Sequence, residues 1–311
     1  MLIIHYFIIF GVPSINRRNF MKIAIYGRPF NKNIIPFIQD LSDTLKRSSI
    51  EWIIHEPLWD YISTGQNADV KTFSTHDEIR NEKVEFLFSI GGDGTLLDTL
   101  SLVRDSGIPV LGINTGRLGF LSSISRDNFE KAIEFILQGH FSLDKRALLR
   151  LETNKPLFGD VSYALNELTV HKRDSSSMIT INTFLNGEFL NSYWADGLII
   201  ATPTGSTGYS LSCGGPILVP QSENFVITPI APHNLNVRPV VVSDKTIISL
   251  EIEGRGQYFL ATLDARSVSI DPSVKIAVRK ESFGINLVRL NNENFPGTLR
   301  NKLMWGLDTR N

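Results

Sequence analysis

A single cysteine, Cys213, rules out an internal disulfide and a cysteine-ligated zinc site. The six histidines (His5, His55, His76, His140, His171 and His233) lie scattered, with no HExxH pairing. Neither sign of charge is in excess. Lys plus Arg number 31 against 32 Asp plus Glu, a formal net charge of −1. No broad nucleic-acid or membrane surface is implied, and any anion site must be local. The apolar run at residues 2–10 falls far short of the ~20 residues that span a bilayer. It also lacks the preceding positive charge of a secretory signal, since Arg17-Arg18 come after it. These absences fit a reducing interior, and the expected location is the cytoplasm.

What is present is a chain of 311 residues, 42% hydrophobic, long enough for two cores. Met21 opens Lys22-Ile23-Ala24-Ile25-Tyr26-Gly27, which reads as a first strand, so residues 1–20 read as an upstream extension. The alternative is a short peripheral strand or helix there.

The most informative feature is Gly91-Gly92-Asp93-Gly94-Thr95, directly after the apolar run Val84–Ile90. A buried strand ending in glycines, followed by leucines at helical spacing, predicts a strand–turn–helix corner. Glycines there let backbone N–H groups approach an anion, and the helix end favours negative charge. Gly91, Gly92 and Thr95 are the phosphate candidates. The acid Asp93 would repel a phosphate unless it accepted a proton or held a metal. A tight connection without function is the plain structural alternative.

From Met21 to about His140 strands and helices alternate. Strands are expected at Lys22–Tyr26, Glu51–Ile54, Val84–Ile90 and Pro109–Asn114, and helices at Ile34–Leu45, Thr95–Arg104 and Asp127–Gln138. Such alternation implies a parallel sheet whose ligands collect at the carboxyl ends of strands. A second turn there, Asn114–Phe120, contains Arg117, which is poised either for a phosphate or for solvent.

After Leu143 the texture becomes short strands: Val161–Lys172, Met178–Leu185, Glu188–Trp194, Leu198–Ala201, Phe225–Ile230, Thr246–Glu253, Gln257–Leu263 and Lys275–Val278. Asn186-Gly187 signals a type I′ hairpin. The expected fold is an α/β Rossmann-like domain plus an all-β, sandwich-like domain, with the tail Phe295–Trp305 helical. The expected divisions are 1–20, 21–143, 144–280 and 281–311. Within the second part, Thr202, Thr204, Ser206, Thr207, Ser210 and Ser212 cluster at a corner with Gly205 and Gly208, where a short helix begins near Thr207. Hydroxyls and free amides suit ribose and phosphate oxygens, although Ser and Thr also cap helices. Tyr209 either stacks on a base or packs.

Taken together, Gly91–Thr95, Asn114–Leu121, Asn166-Glu167, Asp196-Gly197, Thr202–Thr207 and Thr228–His233 resemble the motifs of the NAD kinase family, in that order. The resemblance runs from about Met21 to the C-terminus. The Thr-Pro-Thr-Gly-Ser-Thr corner is its specific part, since lipid, sphingoid and phosphofructokinase-type kinases share the acidic Gly-rich turn. It implies a site between the two domains, ATP and NAD as substrates, Mg²⁺ or another divalent metal with ATP, and a homodimer or homotetramer. Asp93 would be the proton acceptor. Asp93, Gly94, Asn166, Glu167, Asp196, Thr207, Gly208, Tyr209, Ser210, Leu211 and Ser212 would bind the dinucleotide. Asn166 as a turn closer and Asp196 as a cap before Gly197 are the plain readings. Two departures stand out. Asp264-Ala265-Arg266 replaces the family's Asp-Gly-Gln, which changes the kind of any ligand contact at Arg266. Gly208 replaces alanine. A lipid or sphingoid kinase of the same superfamily and a non-catalytic nucleotide sensor are the rival readings.

Overall fold

In a computed structural model of the chain, residues 21–29, 34–63, 70–116, 119–122, 124–173, 177–290 and 294–304 are described. Residues 1–20, Arg117 and Trp305 lie outside them, and with them the expectations placed there.

The first half runs β1 Lys22–Gly27, α1 Ile34–Arg47, β2 Glu51–His55, α2 Glu56–Ile62, β3 Thr72–Phe73, α3 His76–Asn81, β4 Phe86–Ile90, α4 Asp93–Asp98, α5 Leu100–Val103, β5 Val110–Asn114, β6 Ile124–Ser125 and α6 Phe129–Leu137. The second runs β7 Phe141–Thr153, β8 Tyr163–Ala164, β9 Glu167–Lys172, β10 Ile179–Leu185, β11 Glu188–Ala195, β12 Gly197–Ala201, α7 Tyr209–Ser212, β13 Asn224–Ile230, β14 Val240–Ser243, β15 Ile248–Glu253, β16 Phe259–Leu263, β17 Arg266–Ile270, β18 Ile276–Leu290 and α8 Phe295–Leu303.

The parallel strands lie in the order β5-β4-β1-β2-β3, each buried where the sequence is continuously apolar. On one face, α1 lays down Phe37, Ile38, Leu41 and Leu45 beside Phe129, Ile133 and Ile136 of α6. The stripe repeats at helical spacing, and Lys46 and Arg47 close the last turn of α1, where cations suit the helix dipole. On the other face lie Leu96, Leu100 and Val103, with Tyr163 and Leu287 of the second half.

Two sheets enclose the core of the second half. An antiparallel sheet ordered β14-β13-β12-β9-β16-β17 packs Leu168, Val170, Leu198, Ile200 and Phe225 against Ile181, Leu250 and Val278 of the opposite sheet. The expected α/β plus sandwich-like architecture is therefore the one found. Asn186 and Gly187 both take positive φ, 52° and 86°, as a type I′ turn requires.

The short elements α2, β3, α3, β6, β14 and β17 and the long strand β7 were not foreseen, and three of the expected elements differ in extent. The helix predicted over Thr95–Arg104 starts at Asp93 and breaks at Thr99, whose buried hydroxyl bonds back to the Leu96 carbonyl at 2.6 Å. The strand predicted over Val161–Lys172 is interrupted because the N–H groups of Leu165, Asn166 and Glu167 turn to the Asp264 carboxylate instead of a strand partner. The last strand continues to Leu290 through a bulge near Lys280–Gly284, where polar residues break the apolar alternation. That strand pairs with β15, β7 and β5, and so joins the parallel and antiparallel strands in one sheet.

Candidate functional site

The Gly-rich turn sits at the carboxyl end of β4, as expected. Gly91 N–H is spent on the Ile113 carbonyl, Gly92 caps α4, and Thr95 is buried. Asp93 is half-buried at the first position of α4. Its Oδ2 accepts the Phe120 N–H at 2.8 Å, and Oδ1 accepts those of Leu121 and Ser122 at 3.1 and 2.9 Å. A Cβ at Gly119 would overlap the same carboxylate, so only glycine lets this loop close on it. A carboxylate offers about four lone-pair positions. Three are used, and the one that remains is on Oδ2. The sequence pointed to the turn containing Gly116 and Gly119 but not to its backbone as the partner of Asp93. The signal was present in the crowding of glycines opposite a lone acid.

Gly94 is exposed, and its carbonyl accepts Arg28 Nη2 at 3.1 Å. Arg28 also forks onto Asp98 and lines a cavity of about 490 Å³ at the carboxyl ends of β1 and β2. Arg266 lines that cavity too. Its guanidinium is committed to the Val161 and Tyr163 carbonyls and lies over the Phe158 ring.

In the second half the hydroxyl-rich corner folds onto Asn166-Glu167. Thr202 donates its N–H to the Asn166 carbonyl at 2.9 Å and its hydroxyl to that of Leu165. A Cβ at Gly205 would overlap the Asn166 backbone. The other hydroxyls also serve the corner. Ser206 bonds Pro203 and Leu218, Thr207 bonds the Thr204 carbonyl, and buried Ser210 bonds Thr228 at 2.8 Å. Their abundance therefore reflects the folding of the turn as much as any ligand. Leu211 and exposed Ser212 complete α7, and Tyr209 is 42% exposed on its rim.

Glu167 presents Oε2 buried and without a hydrogen-bond partner. Burial, reinforced by the charge of Asp264, pushes its carboxyl up to about 8, so the group is a neutral acid at neutral pH. Gly208 matters here, since a Cβ at that position would stand 3.3 Å from the same oxygen. Asp264, which the sequence singled out only as part of a motif, is the organiser of this region. Its carboxylate receives three backbone N–H groups from residues 165–167 at 2.8–3.2 Å. Asp196 pairs with Lys172 at 2.6 Å, a partner the sequence did not suggest. Asp196 lies outside the cavity lined by Arg28 and Arg266.

The two halves meet across a cavity of about 430 Å³ lined by Phe120 and Leu121 from one side and by Pro203, Thr204 and Thr207 from the other. Among the described residues no three His, Cys, Asp or Glu side chains gather as a metal cage.

An α/β half and an all-β half, with the loop that holds Asp93 facing a hydroxyl-rich corner across a cleft, define a two-domain protein of the nucleotide-site type. Comparison with known proteins makes this particular. Residues 25–141 match the ATP-NAD kinase N-terminal domain and residues 165–290 the ATP-NAD kinase C-terminal domain. An NAD kinase of Cytophaga hutchinsonii is 50% identical over 293 residues, covering 94% of this chain and 100% of that protein. One of Flavobacterium psychrophilum is 46% identical over 295 residues, with coverages of 94% and 100%. The chain belongs to the NAD kinase family. Among solved structures, yeast NADH kinase complexed with NADH has the same fold, with TM-score 0.83 at 23% identity over 96% of this chain and 93% of that one. An Archaeoglobus fulgidus NAD kinase in complex with ATP gives TM-score 0.71 at 27% identity, with coverages of 90% and 99%.

Proposed function

We infer that the chain transfers the terminal phosphate of ATP to the 2′-hydroxyl of the adenosine ribose of NAD, giving NADP and ADP. The observation that carries this is the 50% identity to an NAD kinase over that protein's full length, with both halves of the family's domain pair present. A lipid or sphingoid acceptor and a non-catalytic sensor are not favoured, because the nucleotide-side corner and Asp93 are both intact.

Asp93 is assigned as the proton acceptor. As the ribose oxygen bonds to the γ-phosphorus, the bridging oxygen leaves with ADP and the hydroxyl proton passes to the remaining acceptor position on Oδ2. A carboxylate is a weak base for an alcohol, so positioning carries much of the work and the proton moves late. The three N–H groups on Asp93 supply that positioning. Gly94, Asn166 and Glu167 are assigned to the ribose and adenine end of NAD. Thr207, Gly208, Tyr209, Ser210, Leu211 and Ser212 are assigned to the adenine and phosphate region, and Asp196 to the nicotinamide end. Protonated Glu167 serves as a hydrogen-bond donor as well as an acceptor. Gly92 and Arg117 are assigned to the donor phosphates, whereas Gly91, its N–H taken by the Ile113 carbonyl, and Thr95, its side chain buried, serve by shaping the turn. Arg266 acts mainly by tying the β16–β17 turn to β8 beneath the site.

A magnesium ion fits this site as a companion of the nucleotide. Without a protein cage, it would ride on the phosphates with a carboxylate nearby, the usual habit of Mg²⁺, and would neutralise charge developing there. We place the enzyme in the cytoplasm as a homodimer or homotetramer. No helix among the described residues is long and apolar enough to cross a membrane. A coupled assay with ATP, Mg²⁺ and NAD, with NADH and polyphosphate as variants, tests the reading. NADP must form from NAD and ATP, and its absence with folded protein rejects the assignment.

A further inference from the structure

Asp144 and Arg146 stand two residues apart on β7, and Arg289 stands on β18, one diagonal step across the pair. All three belong to positions that a strand would ordinarily give to apolar side chains. Arg146 is only 5% exposed. Asp144 Oδ2 accepts Arg146 Nε and Nη2 at 2.9 and 2.6 Å and Arg289 Nε at 3.2 Å, while Oδ1 accepts Gln221 Nε2 at 3.0 Å. Burial works against ionisation of Asp144, yet the two guanidiniums hold its carboxyl below the usual carboxylate range. A buried cluster of this kind is a poor source of stability, because desolvation offsets most of the attraction. Its outer contacts point to a role other than stability.

Each arginine reaches one side of the cleft. Arg146 Nη1 donates to Thr204 Oγ1 at 3.1 Å, on the hydroxyl-rich corner. Arg289 Nη2 donates to the Phe120 carbonyl at 3.4 Å, and the N–H of that same residue donates to Asp93 Oδ2. Asp144 is thus bonded to two forks, one ending on the loop that holds Asp93 and the other on the corner opposite. We propose that the Asp144–Arg146–Arg289 cluster is a positioning device that fixes the Asp93 loop and the Thr204 corner in one register across the cleft. Its members line the cleft as well, and they bear on the loop and the corner through Phe120 and Thr204. The proposal rests on the assignment of Asp93 as proton acceptor.

Arg289→Met cuts the arm to Phe120 and leaves the Asp144–Arg146 pair in place. Arg279→Met is the control. It removes an exposed ion pair with Glu152 from the same two strands, away from the cleft. Expected for Arg289→Met are a kcat at least ~10-fold lower, a KM for NAD within ~3-fold, and faster amide exchange in the peptide containing residues 119–122 than in the control. Arg289→Lys, which keeps the charge but loses the fork, should recover only part of kcat. In an Asp93→Asn background the Arg289 change should cost almost nothing further, because both act through one group. Full recovery by lysine, unchanged exchange at 119–122, or additive losses in the double variant would each overturn the proposal. Asp93→Asn alone reports on the underlying assignment. Near-normal turnover there removes Asp93 as the base, whereas a slow Asp93→Asn with additive losses removes only the positioning role.

Discussion

Asp93 and Glu167 are both carboxyl groups at the site, and their surroundings give them opposite characters. Three N–H groups face Asp93, whereas Glu167 Oε2 is buried without a partner beside the carboxylate of Asp264. Asp93→Asn keeps the size but loses the base and, because its amide nitrogen must face an N–H group, at least one loop contact. Steady-state kinetics should show kcat lower by ~10²–10⁴ with NAD affinity within a few-fold. For Glu167 the consequence is a pH dependence. Its folded value of about 8 lies above the unfolded 4.5, so the native state holds the extra proton between these limits. Stability from this group is therefore complete below about pH 4.5 and is lost progressively as pH rises towards 8. Glu167→Gln cannot titrate, so melting curves from pH 5 to 9 should show the variant gaining on the parent as pH rises. KM for NAD should rise above about pH 8 in the parent and stay flat in the variant. Parallel melting curves would show that Glu167 is ionised throughout. The sequence revealed both acids, but burial and neighbours from distant segments decide what each one does.

At the scale of elements, the sequence was most legible where periodicity was strong. The stripe of α1, the buried runs of β4 and β5, and the Asn186-Gly187 hairpin all fell where their patterns put them. Misreadings arose where a side chain competed with backbone pairing. Thr99 broke a helix, and Asp264 withdrew three N–H groups from a strand 97–99 residues away in the chain. No local window carries that second event. It also sets the conformation of Asn166-Glu167, so the site at this point is built by tertiary capture. Asp264→Ala would strand three half-buried donors, and each fully buried loss of this kind costs ~1–3 kcal/mol before relaxation. Chemical denaturation should show a loss of at least ~2 kcal/mol, with weaker NAD binding in the fraction that stays folded. Asp264→Asn keeps one acceptor oxygen and tolerates the positive φ of 51°, so it should lie between the two. An alanine variant as stable as the parent would show that these N–H groups have other partners.

For the whole molecule, the change of texture near residue 143 marked two halves but concealed what joins them. β7 and β18 are long strands that run from one half into the other. Leu149, Leu151, Ile276 and Val278 enter the core between the two β-sheets, while Leu148, Ile285 and Leu287 face the helices of the first half, and Val288 packs beside α1 and α6. Sequence periodicity could not show this, because pairing partners are non-local and the bulge at Lys280–Gly284 interrupts the alternation. The consequence is mechanical as well as architectural. A cleft whose walls share two continuous strands is held in fixed register, which suits a reaction that depends on positioning. It also predicts how the chain unfolds. If neither half keeps its core without β7 and β18, calorimetry should record one transition rather than two, despite the chain's 311 residues. Leu41→Ala opens a cavity under α1 and Leu250→Ala one between the β-sheets, both at fully buried positions. Each should cost ~2–5 kcal/mol, and each should move that single transition downwards as a whole. Two resolved transitions, with Leu41→Ala lowering only one and Leu250→Ala only the other, would show independent domains. The shared strands would then be a seam between them rather than their common frame.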